Sequence, residues 1–170
     1  LRCTAAMQSS QQTNLPTKAT DFVWQDEYAL GITTLDAAHQ SLLNDLNHLT
    51  HLLHTDTATP ISSLLTQIQA AAAQAFLLQE QMMQDKGYPF AELHARQHLR
   101  FFDYLGELQT DMERDVANPV YLGFRIKNML TDWLVNHILN TDRHFSHHLN
   151  GRTVDRITEH LSAPVIGEIP

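Results

Sequence analysis

The sequence predicts an all-α fold: an up-down-up-down four-helix bundle with an extended N-terminal lead-in and a short C-terminal extension. Three observations predict it. Apolar residues recur at helical spacing in four stretches, each of roughly 20 to 30 residues, the length that bundle helices take. The stretches are separated by helix-breaking signals, at Pro60, at Gly87-Tyr88-Pro89 and at Asn118-Pro119, and the last ends at Asn150-Gly151. The chain of 170 residues is 43% apolar with only 6 Gly and 6 Pro, enough to bury a core and too poor in breakers for a loop-rich or disordered chain.

Residues 1–20, rich in Ser, Thr, Gln and Ala without periodicity, read as a flexible N-terminal arm. Residues 21–34 carry Phe22, Trp24, Tyr28, Leu30 and Ile32 at spacings that fit no helix, and read as an extended lead-in packed by its aromatic residues. The bundle is expected over 21–150.

The first helix is expected from about Leu35 to His54, with Asp36 in the N-cap region. Its inner face is Leu35, His39, Leu42, Leu43, Leu46, Leu49 and Leu53. His48, His51 and His54 fall among Asn44, Asp45 and Asn47 and read as solvated. The second helix runs from Pro60, a favourable first residue, to Lys86, with Gly87 closing it. Its inner face is Ile61, Leu65, Ile68, Ala72, Ala75, Gln79 and Met82.

Pro89 opens the third helix, whose inner face holds His94, His98, Phe101, Leu105, Leu108 and Met112. The fourth starts at Asn118-Pro119, presents Leu122, Ile126, Leu130, Trp133 and His137, and runs to about His148. His144, His147 and His148 read as helix-end imidazoles favoured by the helix dipole. The extension, 151–170, has room for one short helix near 154–161.

A net charge of −8 argues against a nucleic-acid surface or a polybasic membrane patch. No unbroken apolar run approaches the eighteen or so residues of a membrane span. One cysteine, Cys3, excludes an internal disulfide. The lack of Met at position 1 reads as a fragment or processed product with Met7 a candidate start, and a cytoplasmic location is expected.

Eleven histidines are the compositional anomaly. His39, His94, His98 and His137, with Asp142, come from three helices and all fall toward the core. Several buried imidazoles and a carboxylate without partners would lose several kcal/mol of hydration, which a bound cation relieves. The competing account is a hydrogen-bonded polar core. His94 and His98 have the i,i+4 spacing of helical metal sites, and imidazole with carboxylate but no thiolate favours iron, manganese, zinc or copper. His137 and Asp142 are five apart, about 140° round an α-helix, so they are expected to approach an ion from two sides of one helix.

The chain resembles the hemerythrin family, bacterial single-domain members in particular. The resemblance is carried by Trp24, Gly31-Ile32, Leu35-Asp36-Ala37-Ala38-His39, Met82-Met83, Gly87-Tyr88-Pro89, His94 and His98 with Phe101, and Trp133-Leu134-Val135-Asn136-His137-Ile138 with Asp142. It implies a non-haem iron protein that binds O2 or a related small ligand, in transport, buffering or redox sensing, and is not an enzyme. Family members hold two irons through five histidines and two bridging carboxylates, and bind O2 reversibly with one electron from each iron. Carried over, His94, His98 and His137 hold one iron, His39 the other, and Asp142 bridges.

The family's second helix supplies one further His and one Glu, spaced i,i+4. Here those positions are Ala75 and Gln79, and a register shift of one residue would bring Glu80 inward. The expectation is an altered centre of one or two ions, in which His94, His98, His137 and Asp142 suffice for one and His39 is left as a poor second site. The alternatives are a mononuclear metal enzyme with oxygen or peroxide chemistry, and a degenerate bundle serving as an interaction module.

Overall fold

The computed structural model describes residues 21–53, 61–114 and 118–151. The expected N-terminal arm, His54, the turn before Pro60 and most of the C-terminal extension with its short helix lie outside the described residues.

Four helices form, α1 (Thr33–Leu52), α2 (Ile61–Asp85), α3 (Ala91–Glu113) and α4, which begins at Pro119 and ends at Leu149. Contacts run α1 to α2, α2 to α3, and α4 to both α1 and α3, the closed ring of a four-helix bundle. No strand occurs among the described residues. The core is the set of inward faces read from periodicity: Leu35, Leu42, Leu43, Leu46 and Leu49 from α1, Leu65, Ile68 and Ala72 from α2, Phe101, Leu105 and Leu108 from α3, and Leu122, Ile126 and Leu130 from α4. On α2 the buried methionine is Met83, while Met82 is half-buried.

The ends follow local chemistry. Gly87 takes a positive φ of 61°, and Tyr88 N–H reaches back five residues to the Met83 carbonyl, a closing bond of the Schellman type that a left-handed glycine permits. The Asn118 side chain accepts the Tyr121 N–H at 2.9 Å, with Pro119 in the first turn of α4. Asp36 lies inside the first turn of α1, and its carboxylate reaches back to the N–H groups of Leu30 and Gly31, at 2.8 and 3.1 Å.

The lead-in is extended apart from one 3-10 turn, Asp26–Tyr28. Asn47 of α1 pins it by accepting the Phe22 N–H and donating to the Phe22 carbonyl. From α4, Ser146 donates to the Leu30 carbonyl and Arg143 to the Glu27 carbonyl. The segment is thereby tied across the end of the bundle that carries His39 and Asp142.

Two features depart from the sequence reading. Residues Ile61–Asp85 are, by length and composition alone, long and apolar enough to cross a membrane; Gln67, Gln69, Gln74 and Gln79 interrupt the run, which is why a search for unbroken apolar residues passes over it. Here α2 packs one face into the bundle core. The second departure is α4, which is not a uniform α-helix. Ile126–Thr131 and His137–Asp142 are π-helical, with Asp132 N–H bonded to the Lys127 carbonyl and Arg143 N–H to the Ile138 carbonyl, each five residues back.

Candidate metal centre

The π-helical segment His137–Asp142 builds the site. A π turn needs about five residues where an α turn needs fewer, so His137 and Asp142 come to lie above one another on the inner face. The about 140° offset expected of an α-helix does not arise, and His137 Nε2 lies 3.2 Å from Asp142 Oδ1.

Around Asp142 Oδ1 two more groups converge. His94 Nε2 from α3 is 3.0 Å away, and Gln79 Nε2 from α2 donates to it at 2.6 Å. The two ring nitrogens His94 Nε2 and His137 Nε2 are themselves 3.1 Å apart. Donor atoms of His94, His98, His137 and Asp142 all lie within 4.8 Å of one another, and all four residues are buried. His39 stands on the far side of the carboxylate, its Nε2 3.4 Å from Asp142 Oδ2.

Aromatic rings hold the imidazoles. Phe76 lies flat on His98, centroids 4.1 Å apart and planes 1° from parallel, and Trp133 stacks on His137 at 4.6 Å and 15°. Phe101 packs against both Phe76 and Trp133. Together they make an apolar wall on one side of the donor cluster.

Charge follows from this burial. Burial drives His98 down to about 2, reinforced by His137 and His94, so its ring is neutral. Burial also lowers His39 and His137, outweighing the opposite pull of Asp142 on each. Burial raises Asp142, but the charge and hydrogen bond of His137, with His39 and His94, more than offset it and hold the carboxyl well below its usual range. The centre sets one carboxylate beside the neutral imidazoles of His39, His98 and His137, a set rich in lone pairs.

Several of these lone pairs have no partner. His98 Nδ1 is 2.8 Å from Glu80 Oε1, and an ionised carboxylate only accepts, so the ring proton is on Nδ1. His98 Nε2 is therefore a bare lone pair, buried and without a hydrogen bond. His39 Nδ1 and His94 Nδ1 are also buried without partners. An orphaned buried acceptor costs about 1–3 kcal/mol, and a cation shared by His94, His98, His137 and Asp142 removes that cost at His98. The donor set fits one metal ion. On the His39 side Asp142 Oδ2 is likewise buried without a hydrogen bond, and α2 carries Ala75 and the amide of Gln79, which donates to Asp142.

His144 is not the solvated helix-end imidazole expected from position. It is half-buried and shares a 2.5 Å hydrogen bond with Tyr88 Oη, and burial lowers its pKa, helped by His147 and His94. Tyr88 also makes ring contact with His94, so the pair closes one end of the site. His148 contacts the Lys86 carbonyl at 3.1 Å, at the C-terminus of α2, and His48 is exposed as expected. His51 pairs with Asp21 of the lead-in at 2.7 Å.

Sequence reasoning raised Glu80 only through a register shift and Phe76 only as core or pocket lining, and it gave Tyr88 no place in the site. The signal for Glu80 was present, since it is the only charged side chain between Ile61 and Gln84. The stacking of Phe76 and the Tyr88–His144 bond depend on helix rotation and on the turn after α2, which periodicity does not resolve.

The sequence model of the hemerythrin HHE cation binding domain matches residues 30–149. A bacteriohemerythrin of Stenotrophomonas maltophilia is 27% identical over 148 residues, covering 85% of this chain and 92% of the relative. A bacteriohemerythrin of Pseudomonas aeruginosa is 29% identical over 120 residues, 71% of this chain and 76% of its own length. Hemerythrin subunit 2 of Golfingia vulgaris is 25% identical over 121 residues, 71% and 87% respectively. No solved structure matches. With the family model spanning all four helices and the buried His and Asp cluster inside it, the chain belongs to the hemerythrin family.

Proposed function

We propose that the chain is a non-haem iron protein that binds O2 or a related small ligand at a mononuclear centre, serving oxygen handling or redox sensing. The observation that carries this reading is the asymmetry about Asp142. Three imidazoles, those of His94, His98 and His137, gather with it on one side, and on the other His39 faces the carboxylate. His94, His98, His137 and Asp142 would hold the iron, which when bound would supply redox chemistry toward a diatomic ligand.

The chain's own residues do the rest. His94, His98 and His137 offer imidazole nitrogens, and Asp142 offers the one anionic donor. Gln79 fixes Asp142 Oδ1 with its amide N–H, while Oδ2 is buried without a hydrogen bond and faces His39 Nε2 at 3.4 Å. In this reading His39 stands beside the carboxylate and is not itself a ligand. Phe76, Phe101 and Trp133 limit access of water and protons to the ligand side.

Metal analysis of the purified protein, with its visible spectrum before and after oxygenation, tests the reading. One iron per chain is expected. Two irons with an intense new band on oxygenation would overturn the mononuclear centre, and absence of any bound metal would overturn the function.

A further inference from the structure

The loss of a carboxylate at position 79 leaves the centre short of negative charge, yet α2 carries one acidic residue in its length before Asp85, and it is the next one. Glu80 does not enter the donor cluster. Its carboxylate is half-buried and meets the outer nitrogen of His98, Oε1 to Nδ1 2.8 Å, while Nε2 faces inward. We propose that Glu80 is a positioning residue for the metal centre, fixing His98 in the Nδ1–H tautomer and supplying through that imidazole the anionic charge that Gln79 no longer supplies directly.

Three observations carry this. A carboxylate against Nδ1 requires the proton on that nitrogen and so leaves Nε2 as the only lone pair of the ring. Nε2 is buried without any hydrogen-bond partner, so the preference is not set from the inner side. Phe76, one turn before Glu80 on α2, stacks flat on the same ring, so one stretch of helix sets both the plane and the tautomer of His98. An imidazole that donates to a carboxylate is a more basic ligand, and removing such a partner lowers metal affinity by about 10–100-fold. The charge has moved from a bridging position to one outside the ligand shell, which suits a centre with one ion and nothing to bridge.

The inference rests on the metal-binding reading, and its test separates the two. In the metal-free protein, nitrogen-15 NMR of the imidazoles reads the His98 tautomer; with Zn2+ as the probe, chelator competition reads affinity. Wild type is expected to show His98 as the Nδ1–H tautomer. Glu80→Ala is expected to lose that preference and bind Zn2+ about 10–100-fold more weakly. Glu80→Gln keeps an acceptor oxygen, so it is expected to keep the tautomer and lose a smaller part of the affinity, through charge alone. Glu92→Gln, on an exposed residue paired with Arg96, serves as the control and is expected to change neither.

An Nε2–H tautomer in wild type, or affinities within about twofold of wild type in both Glu80 variants, would overturn the proposal. Should wild type bind no Zn2+, the metal reading fails and the metal role of Glu80 falls with it, whereas the tautomer measurement still judges the contact. If Glu80→Ala does not fold, the near-isosteric Glu80→Gln decides on affinity.

Discussion

The double change Ala75→His, Gln79→Glu restores the two ligands that α2 lacks, and its cost in the metal-free protein follows from the structure. The Gln79 amide donates to Asp142 Oδ1 at 2.6 Å, both residues being buried. Replacing the donor by a carboxylate removes a charge-assisted hydrogen bond of about 1.5–3 kcal/mol and sets two acidic groups in contact, one of which is then driven to take up a proton. An imidazole in place of the buried Ala75 methyl adds overpacking of about 1–3 kcal/mol. A total near 4 kcal/mol corresponds to a fall of roughly 8–16 °C in Tm for a chain of this size. Two divalent cations would neutralise the paired carboxylates and use the new imidazole, so most of that loss should return on metal loading. Calorimetry with a chelator and after anaerobic loading with ferrous iron, alongside metal analysis, checks both halves. An apo variant as stable as wild type would contradict the packing and charge argument. Iron content remaining at one per chain would contradict the claim that these two positions alone separate the site from a paired one.

Three further outcomes are expected. Asp142→Asn keeps the shape and can still accept from Gln79, but it loses the carboxylate charge that the fold favours, so the metal-free Tm should fall; the stabilisation by metal, about 2.7 kcal/mol at a hundredfold excess over Kd, should vanish. In the metal-free protein, stability should fall as pH drops below 6.5, the ordinary histidine value, because His39, His98 and His137 have lowered pKa values and the unfolded chain takes up those protons first. The loss should continue below the ordinary carboxyl value of 3.8, where Asp142, held low in the fold, gains its proton preferentially on unfolding; chemical denaturation across pH 3–8 reads both phases. Tyr88→Phe removes the hydrogen bond to His144 and should cost about 1 kcal/mol, seen as a Tm lower by roughly 2–4 °C.

Helix existence and inner faces were legible because burial in a bundle imposes a period close to 3.6, and Leu42, Ile68, Phe101 and Leu130 lie where that period puts them. Helix ends were legible at Gly87 and Asn118, whose chemistry is local. The π-helical segments of α4 were not, since no residue type marks them. This is why His137 and Asp142 looked splayed in the sequence and are adjacent in the fold.

The same limit holds in the site. That His94, His98, His137 and Asp142 gather could be read from two helical stripes and a family likeness. That Gln79 takes hold of Asp142 and Glu80 takes hold of His98 depends on a few tens of degrees of rotation of α2 about its axis. Periodicity places a residue on a face but does not fix that angle. His144 shows the reverse error: its place near the end of α4 suggested solvent, whereas the turn after α2 brings Tyr88 against it.

The central claim is that one ion, and not two, is held by donors from α3 and α4. Titration of the metal-free protein with cobalt(II), read by its visible ligand-field bands, tests it most directly. The account predicts bands that rise to saturation at one equivalent and disappear in Asp142→Asn. Saturation at two equivalents, or bands unaffected by that substitution, would contradict it.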